Sequence, residues 1–185
     1  MSKQKNNHIL ETAAMNKESS LGFPIGKVAQ AIRKIISPTL TSHHVECISV
    51  VLVSHLMIEE RLNSLIIKWL VNKLPKMGTK NKQGVPVNDV ARNELVTYVD
   101  KLDFVKKLNL IKPLGTLLWG DESKDIFKDF YKINQARVDI AHRLDIKSIK
   151  IDNKSLATEA GVERFLSLAQ QRLRNVDDLI ELIDG

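Results

Sequence analysis

An all-α fold is predicted for this chain: a helical bundle of about five helices around one long central helix. Three observations lead there. Apolar residues make up 43% of the 185 residues, enough for one core, and they recur at three- and four-residue steps over long stretches, with almost no short alternating runs. Aromatic residues are only 5%, so Leu, Ile and Val must fill that core in helical register. Prolines and glycines gather at a few points, which cuts the apolar pattern into helix-length pieces.

Residues 1–22 are mainly polar, with Ile9, Leu10 and Met15 as the candidates for docking, and read as a flexible or loosely docked arm. A single helical domain is expected over 23–185. Phe23-Pro24 precedes a short helical pattern through Val28, Ala29, Ile32, Ile35 and Ile36, which Ser37-Pro38 stops. Thr41 or Ser42 then caps the longest helix, expected to run to about Leu74 before Pro75 ends it. Some 32 residues give it a length of ~48 Å at ~1.5 Å per residue. Cys47, Val51, Ile58, Leu62, Leu65 and Trp69 form one apolar row on it, and Val45, Ile48, Leu52, Leu56, Ile66 and Leu70 lie nearby, so it is central. Its polar exceptions are His55, Glu59 and Asn63 at four-residue steps, flanked by Glu60.

Residues 73–86, KLPKMGTKNKQGVP, carry Lys73, Lys76, Lys80 and Lys82 among two glycines and two prolines, and read as a loop. The loop is either a solvated linker or a contact for RNA phosphates. A helix from Asn88 or Asp89 to about Leu108 follows, broken off at Pro113 and Gly115. Leu117, Leu118 and Trp119 are expected as an apolar plug before a new helix near Asp121 or Ser123. After His142 the segment LDIKSIKIDNKS is irregular or holds a short extended piece. Residues 158–183 form the last helix, with Val162, Phe165, Leu166, Ala169, Leu173, Val176, Leu179, Ile180 and Ile183 inward. Gly161 near its start costs about 1 kcal/mol against alanine if it is helical, so the helix begins either at 158 or after the glycine.

The net charge of +6 is unevenly placed. Residues 1–151 carry 24 basic and 15 acidic groups, while residues 152–185 carry 4 and 7. A basic body is compatible with nucleic acid, because clustered cations release phosphate counterions, and equally with plain solubility. Cys47 is the only cysteine, which rules out an internal disulfide and a cysteine zinc cluster; it is expected in the core. No signal-peptide apolar region or membrane-length run is evident, so a cytoplasmic protein without membrane association is expected. There is no phosphate-cradling glycine loop and no serine nucleophile elbow. His43-His44 and the His55/Glu59 pair lack a third ligand placed by sequence, so no metal site and no cofactor are expected.

Position 137 is where the chain is most informative. In KDIFKDFYKINQARVDIAHRLD, Ile126, Phe130, Ile133, Ile140 and Leu144 recur around it at steps of four and three. That register puts Arg137 on the buried seam of an amphipathic helix. A guanidinium there is either held by acceptors or opens onto a cleft that takes an anion such as phosphate. The row Phe127, Tyr131, Val138 and Ala141 is interrupted by Asn134, one turn before the arginine. His142 lies ~140° around the helix from Arg137 at ~100° per residue, so one straight helix does not press the two together.

The segment INQARVDIAH, with Arg137 and His142 in an Arg-x4-His arrangement, Asn134 three residues before the arginine and Ala141 before the histidine, resembles the signature of HEPN domains. The run LVSHLMIEERLNSLIIKWL resembles their long first core helix, so the likeness spans roughly residues 42–183. It implies a helical domain whose arginine and histidine meet those of a second protomer across a dimer cleft. It also implies metal-independent cleavage of RNA to a 2',3'-cyclic phosphate and a 5'-hydroxyl, as in many members from toxin–antitoxin, abortive-infection and CRISPR-linked defence systems. A homodimer, an RNA substrate and an antitoxin or regulatory protein are the partners implied. Many members have a polar residue after the arginine, where this chain has Val138. The tyrosine two places after the histidine in nucleotidylated members is Leu144 here, which argues against that subclass.

On this reading His142 transfers the proton, since an imidazole ordinarily titrates near pH ~6.5. Arg137 holds two phosphate oxygens in its planar fork, and Asn134 orients the phosphate or the arginine. His55, Glu59 and Glu60 are supporting polar residues expected opposite Arg137. Bland readings stand beside these. Arg137 is alternatively a buried ion pair with Glu59 or Glu60 that fixes helix register, and His142 a helix-end histidine bonded to a carbonyl. Asp139 pairs with Arg143 one turn on. A non-catalytic helical module that binds RNA or a protein through the same cleft is the competing function, and a purely structural protein the third.

Overall fold

Long apolar runs with helical spacing become helices here, as the sequence predicts. A computed structural model describes residues 42–73, 87–143 and 146–184. In order these form α1 (Ser42–Lys73), α2 (Val87–Asp100), α3 (Phe104–Trp119), a 3-10 turn (Gly120–Glu122), α4 (Ser123–Arg143), the strand pair β1 (Lys150–Ile151) and β2 (Lys154–Ser155), and α5 (Glu159–Asp184). Among the described residues the fold is all-α apart from that strand pair. The N-terminal arm, the helix expected near 24–36 and the loop with Lys76, Lys80 and Lys82 lie outside the described residues, as do Leu144 and the side chain of Lys73. Among the described residues no helix is long and apolar enough to cross a membrane.

Two compact units divide the chain, Met1–His55 with Gln135–Gln170 and Leu56–Asn134 with Gln171–Gly185, and α1, α4 and α5 each contribute to both. In the first, α1 is apolar almost all round: Val45, Cys47, Ile48, Val50, Val51 and Val53 are buried, as befits a central helix. Cys47 is in the core as expected and donates to the Leu156 carbonyl at 3.1 Å. The segment after α4 is the short extended piece anticipated. β1 and β2 pair antiparallel, Lys150 opposite Ser155 and Ile151 opposite Lys154. Their two-residue turn, Asp152-Asn153, has φ of 48° and 66°. Asx residues tolerate that left-handed region, and two such positions in succession match the twist of a tight hairpin. Arg164 Nε donates to Asp152 at 2.8 Å and ties the turn to α5.

The start of α5 agrees with the range expected from the sequence and decides between the two alternatives at Gly161. Gly161 lies inside the helix, which begins at Glu159. Thr158 caps it, its hydroxyl accepting from the Gly161 N–H at 3.2 Å. A Cβ at Gly161 would overlap the Ser155 carbonyl of β2. The glycine is there because the hairpin backbone passes against the helix, and this outweighs its propensity penalty of about 1 kcal/mol.

The second unit also divides differently from the expected pattern. The helix expected from Asn88 or Asp89 to Leu108 is two helices, because Asp103 is an extended N-cap (φ −69°, ψ 160°) whose carboxylate accepts from the Lys106 N–H at 2.8 Å. That hydrogen bond, with the nearby ammonium of Lys106, holds the Asp103 carboxyl below its ordinary value. Pro113 and Gly115 do not break the chain but lie within α3. Pro113 and Asn109 are both exposed, so the carbonyl that Pro113 leaves without its helical partner is on the solvated side. Gly115 is buried against aromatic rings: a Cβ there would come within 2.5 Å of Trp119 and 2.8 Å of Phe127. Phe127 packs against Trp119 in a tilted ring pair at a centroid distance of 5.7 Å. Leu117 and Leu118, expected as a plug, are 76% and 40% exposed, and Leu56 of the α1 apolar rows is exposed as well. The core of this unit is Ile58, Leu62, Leu65 and Ile66 of α1, Val99, Phe104, Leu108 and Ile111, Ile126, Phe127, Phe130 and Ile133 of α4, and Val176 and Leu179 of α5.

Candidate functional site

The buried row of α4 runs through Ile126, Phe130, Ile133, Ala136 and Ile140. Two three-residue steps in succession, 130 to 133 and 133 to 136, carry it through position 136 in place of 137. Arg137 follows ~100° later and points out of the core. It is exposed, not seated on the seam. The anchoring premise for Arg137 is therefore corrected: the seam residue is an alanine. Arg137 has no ion pair among the described residues, so the buried pair with Glu59 or Glu60 is not how its charge is held.

His142 is exposed one and a half turns further along the same helix end, next to exposed Ala141. Two exposed groups of different chemistry thus project from the last turns of α4: a permanent, bidentate cation and an imidazole that donates or accepts protons. Their ~140° separation keeps them apart within one helix. Asp139 accepts from Gln135 Nε2 at 3.0 Å, the turn before it on the same face. Asn134 is half-buried and has a polar partner of its own.

The supporting residues expected on α1 have other roles. Glu59 accepts from Lys107 Nζ at 2.7 Å. His55 is buried, 6% exposed, and has a partner. Asn63 donates to Asp100 at 3.2 Å, and the Glu60 side chain is exposed. The stripe is real as a spacing, but it does not act as one polar wall. His43 Nε2 lies 2.9 Å from the Ala157 carbonyl. Among the described residues no three His, Cys, Asp or Glu side chains converge as a metal site. The side chains of Lys73, Lys76, Lys80 and Lys82 lie outside the described residues.

A second constellation escaped the sequence reading. The α3 hairpin into α4, closed by the 3-10 turn, leaves a cleft of about 520 Å³ lined by Lys112 and Thr116 on one side and Lys124, Phe127, Lys128 and Tyr131 on the other. Its signal was present in the spacing, since Lys124, Lys128 and Tyr131 follow at steps of four and three on one helical face. The supposed break at Pro113 hid Lys112, which α3 in fact carries to the same cleft.

No family model matches the chain, and no curated protein and no solved structure is significantly similar to it.

Proposed function

We propose that the protein is a metal-independent endoribonuclease of the HEPN type, acting as a dimer in which Arg137 and His142 of two copies form a composite site. The observation that carries this reading is the pairing of an exposed Arg137, with no ion pair among the described residues, and an exposed His142 on one helix end. An exposed guanidinium with no carboxylate partner among the described residues is available to a phosphodiester. Because one helix holds the two groups ~140° apart, a second copy is what brings an arginine opposite an imidazole.

In the proposed reaction the His142 imidazole of one copy takes the proton from a ribose 2'-hydroxyl, the 2'-oxygen bonds to phosphorus as the bond from phosphorus to the 5'-oxygen breaks, and the protonated His142 of the second copy gives its proton to the leaving 5'-oxygen, with water exchanging the protons back afterwards. Arg137 balances the charge that grows on the phosphorane oxygens. The products are a 2',3'-cyclic phosphate and a 5'-hydroxyl. A toxin or defence effector in the cytoplasm, held in check by an antitoxin or regulatory protein, is the setting this chemistry suits.

The test is cleavage of RNA by the purified protein in EDTA. Arg137→Ala and His142→Ala are each expected to lower the rate by roughly 10²–10⁴-fold. Undiminished cleavage by both variants removes the pair from the mechanism. One observation favours a second reading, a non-catalytic RNA-binding module: Val138, Asp139 and Gln135 beside Arg137 supply no further acid or base that is not already hydrogen-bonded or apolar. Salt-sensitive RNA binding with no strand scission selects that reading.

A further inference from the structure

Lys112, Lys124 and Lys128 share one cleft and none of them has an ion pair among the described residues. Elsewhere on these helices lysines are matched: Lys106 to Asp103 at 3.0 Å, Lys132 to Asp129 at 2.9 Å and Lys107 to Glu59 at 2.7 Å. Asp121 is the acidic group lining the cleft, so three ammonium groups against one carboxylate leave it cationic. Like charges gathered at a concave surface raise the local potential and attract an anion that carries several charges.

The same cleft has an aromatic wall whose position is fixed. Phe127 is 3% exposed and wedged between Trp119 and Phe130, at centroid distances of 5.7 and 6.2 Å. The Tyr131 ring is exposed, and its hydroxyl donates to Asn109 Oδ1 at 3.2 Å, which anchors the ring to α3. A ring held this way gives up little freedom when another ring packs on it. The volume, about 520 Å³, falls inside the range of roughly 300–1,000 Å³ usual for small-molecule sites.

From cationic rim, fixed aromatic face and size together, we infer that the hairpin of α3 and α4 is a binding site for a nucleoside phosphate, with the phosphates on Lys112, Lys124 and Lys128 and the base against Tyr131. The shared chemistry is one nucleotide unit, supplied either by a free nucleotide or by a single-stranded RNA. This site shares no residue with the Arg137/His142 pair and does not rest on the ribonuclease reading.

Isothermal titration of the full chain with AMP, ATP, adenosine, pyrophosphate and a ten-nucleotide single-stranded RNA tests it. Expected is saturable binding of ATP, with adenosine and pyrophosphate each at least about tenfold weaker. Each lysine removed by Lys124→Ala or Lys128→Ala weakens binding by roughly tenfold, about 1.4 kcal/mol. Tyr131→Ala weakens it by about fivefold or more, and Tyr131→Phe, which keeps the ring face but loses the tie to Asn109, weakens it by less than Tyr131→Ala does. RNA binding through the same lysines without binding of free nucleotides assigns the source to a strand. Pyrophosphate binding as tightly as ATP overturns the nucleotide assignment. So does a Lys124→Ala/Lys128→Ala variant that melts like the parent and binds every probe equally well, or an absence of binding to all probes.

Discussion

Lys107 Nζ lies 2.7 Å from Glu59 Oε1, and the lysine is 2% exposed while the Glu59 side chain keeps 28% of its surface in water. The two ends of this ion pair are therefore unequal. Removing the carboxylate strands a cation that water does not reach, whereas removing the lysine leaves a carboxylate that still hydrates. Glu59→Gln is expected to lower stability by about 2 kcal/mol or more. Lys107→Met is expected to cost less than half of that, and the double variant to resemble Lys107→Met alone. Urea denaturation of the three variants measures it; equal losses for both single changes would show that the pair is not asymmetrically solvated.

Arg137 and His142 are exposed, and changes at exposed positions usually move stability by no more than about 0.5 kcal/mol. Arg137→Ala and His142→Ala should therefore melt at the parent temperature while losing RNA cleavage. A large drop in melting temperature for Arg137→Ala would return that residue to a structural role.

Asp103 connects a cap to a pH dependence. Its carboxyl is held below the ordinary value mainly by the Lys106 backbone N–H it accepts from. A depressed folded value means that the ionised form is the stabilising one. That contribution is present above the unfolded value of about 4 and is lost as pH falls through the lower folded value. Asp103→Ala is expected to lower the melting temperature at pH 7, and the gap between parent and variant to narrow below pH ~4. A gap that is constant across that window refutes the assignment. Asp103→Asn, which keeps the cap acceptor, should fall between the two at neutral pH.

Two glycines are set by close packing. Gly115→Ala places a methyl against Trp119 and Phe127, and Gly161→Ala places one on the Ser155 carbonyl. Alanine is the better helix former by about 1 kcal/mol, so an unconstrained glycine would gain stability on substitution. We expect losses of about 1–3 kcal/mol at both positions, larger at Gly161 because a backbone carbonyl yields less than a ring. Thermal melts that rise for either variant contradict the packing described.

The turn of the strand pair is sensitive to side-chain branching. Asn153, at φ 66°, should accept glycine without loss, whereas Asn153→Val is expected to cost about 1–2 kcal/mol. Circular dichroism melts compare the two directly, and equal stability for valine would mean the turn has another conformation.

Much of the fold was legible because helix formation is a local matter. The apolar spacing of α1, the inward row Val162, Phe165, Leu166, Ala169, Val176 and Leu179 of α5, and the buried Cys47 follow from periodicity alone. Asp103 was also legible in principle as a capping residue before FVKKL, yet an unbroken apolar pattern masked it. What local rules cannot decide is which side of a residue meets another part of the chain. Pro113 stays helical because its lost hydrogen bond falls on solvated backbone, and Gly115 and Gly161 are needed where rings or a carbonyl approach. The register of α4 is the clearest case. Steps of four and three placed Arg137 inside, and only packing against the rest of the chain selected Ala136 for the seam and turned the arginine to water. A sequence determines which residues are able to share a face; the partner surface determines which of those faces is buried.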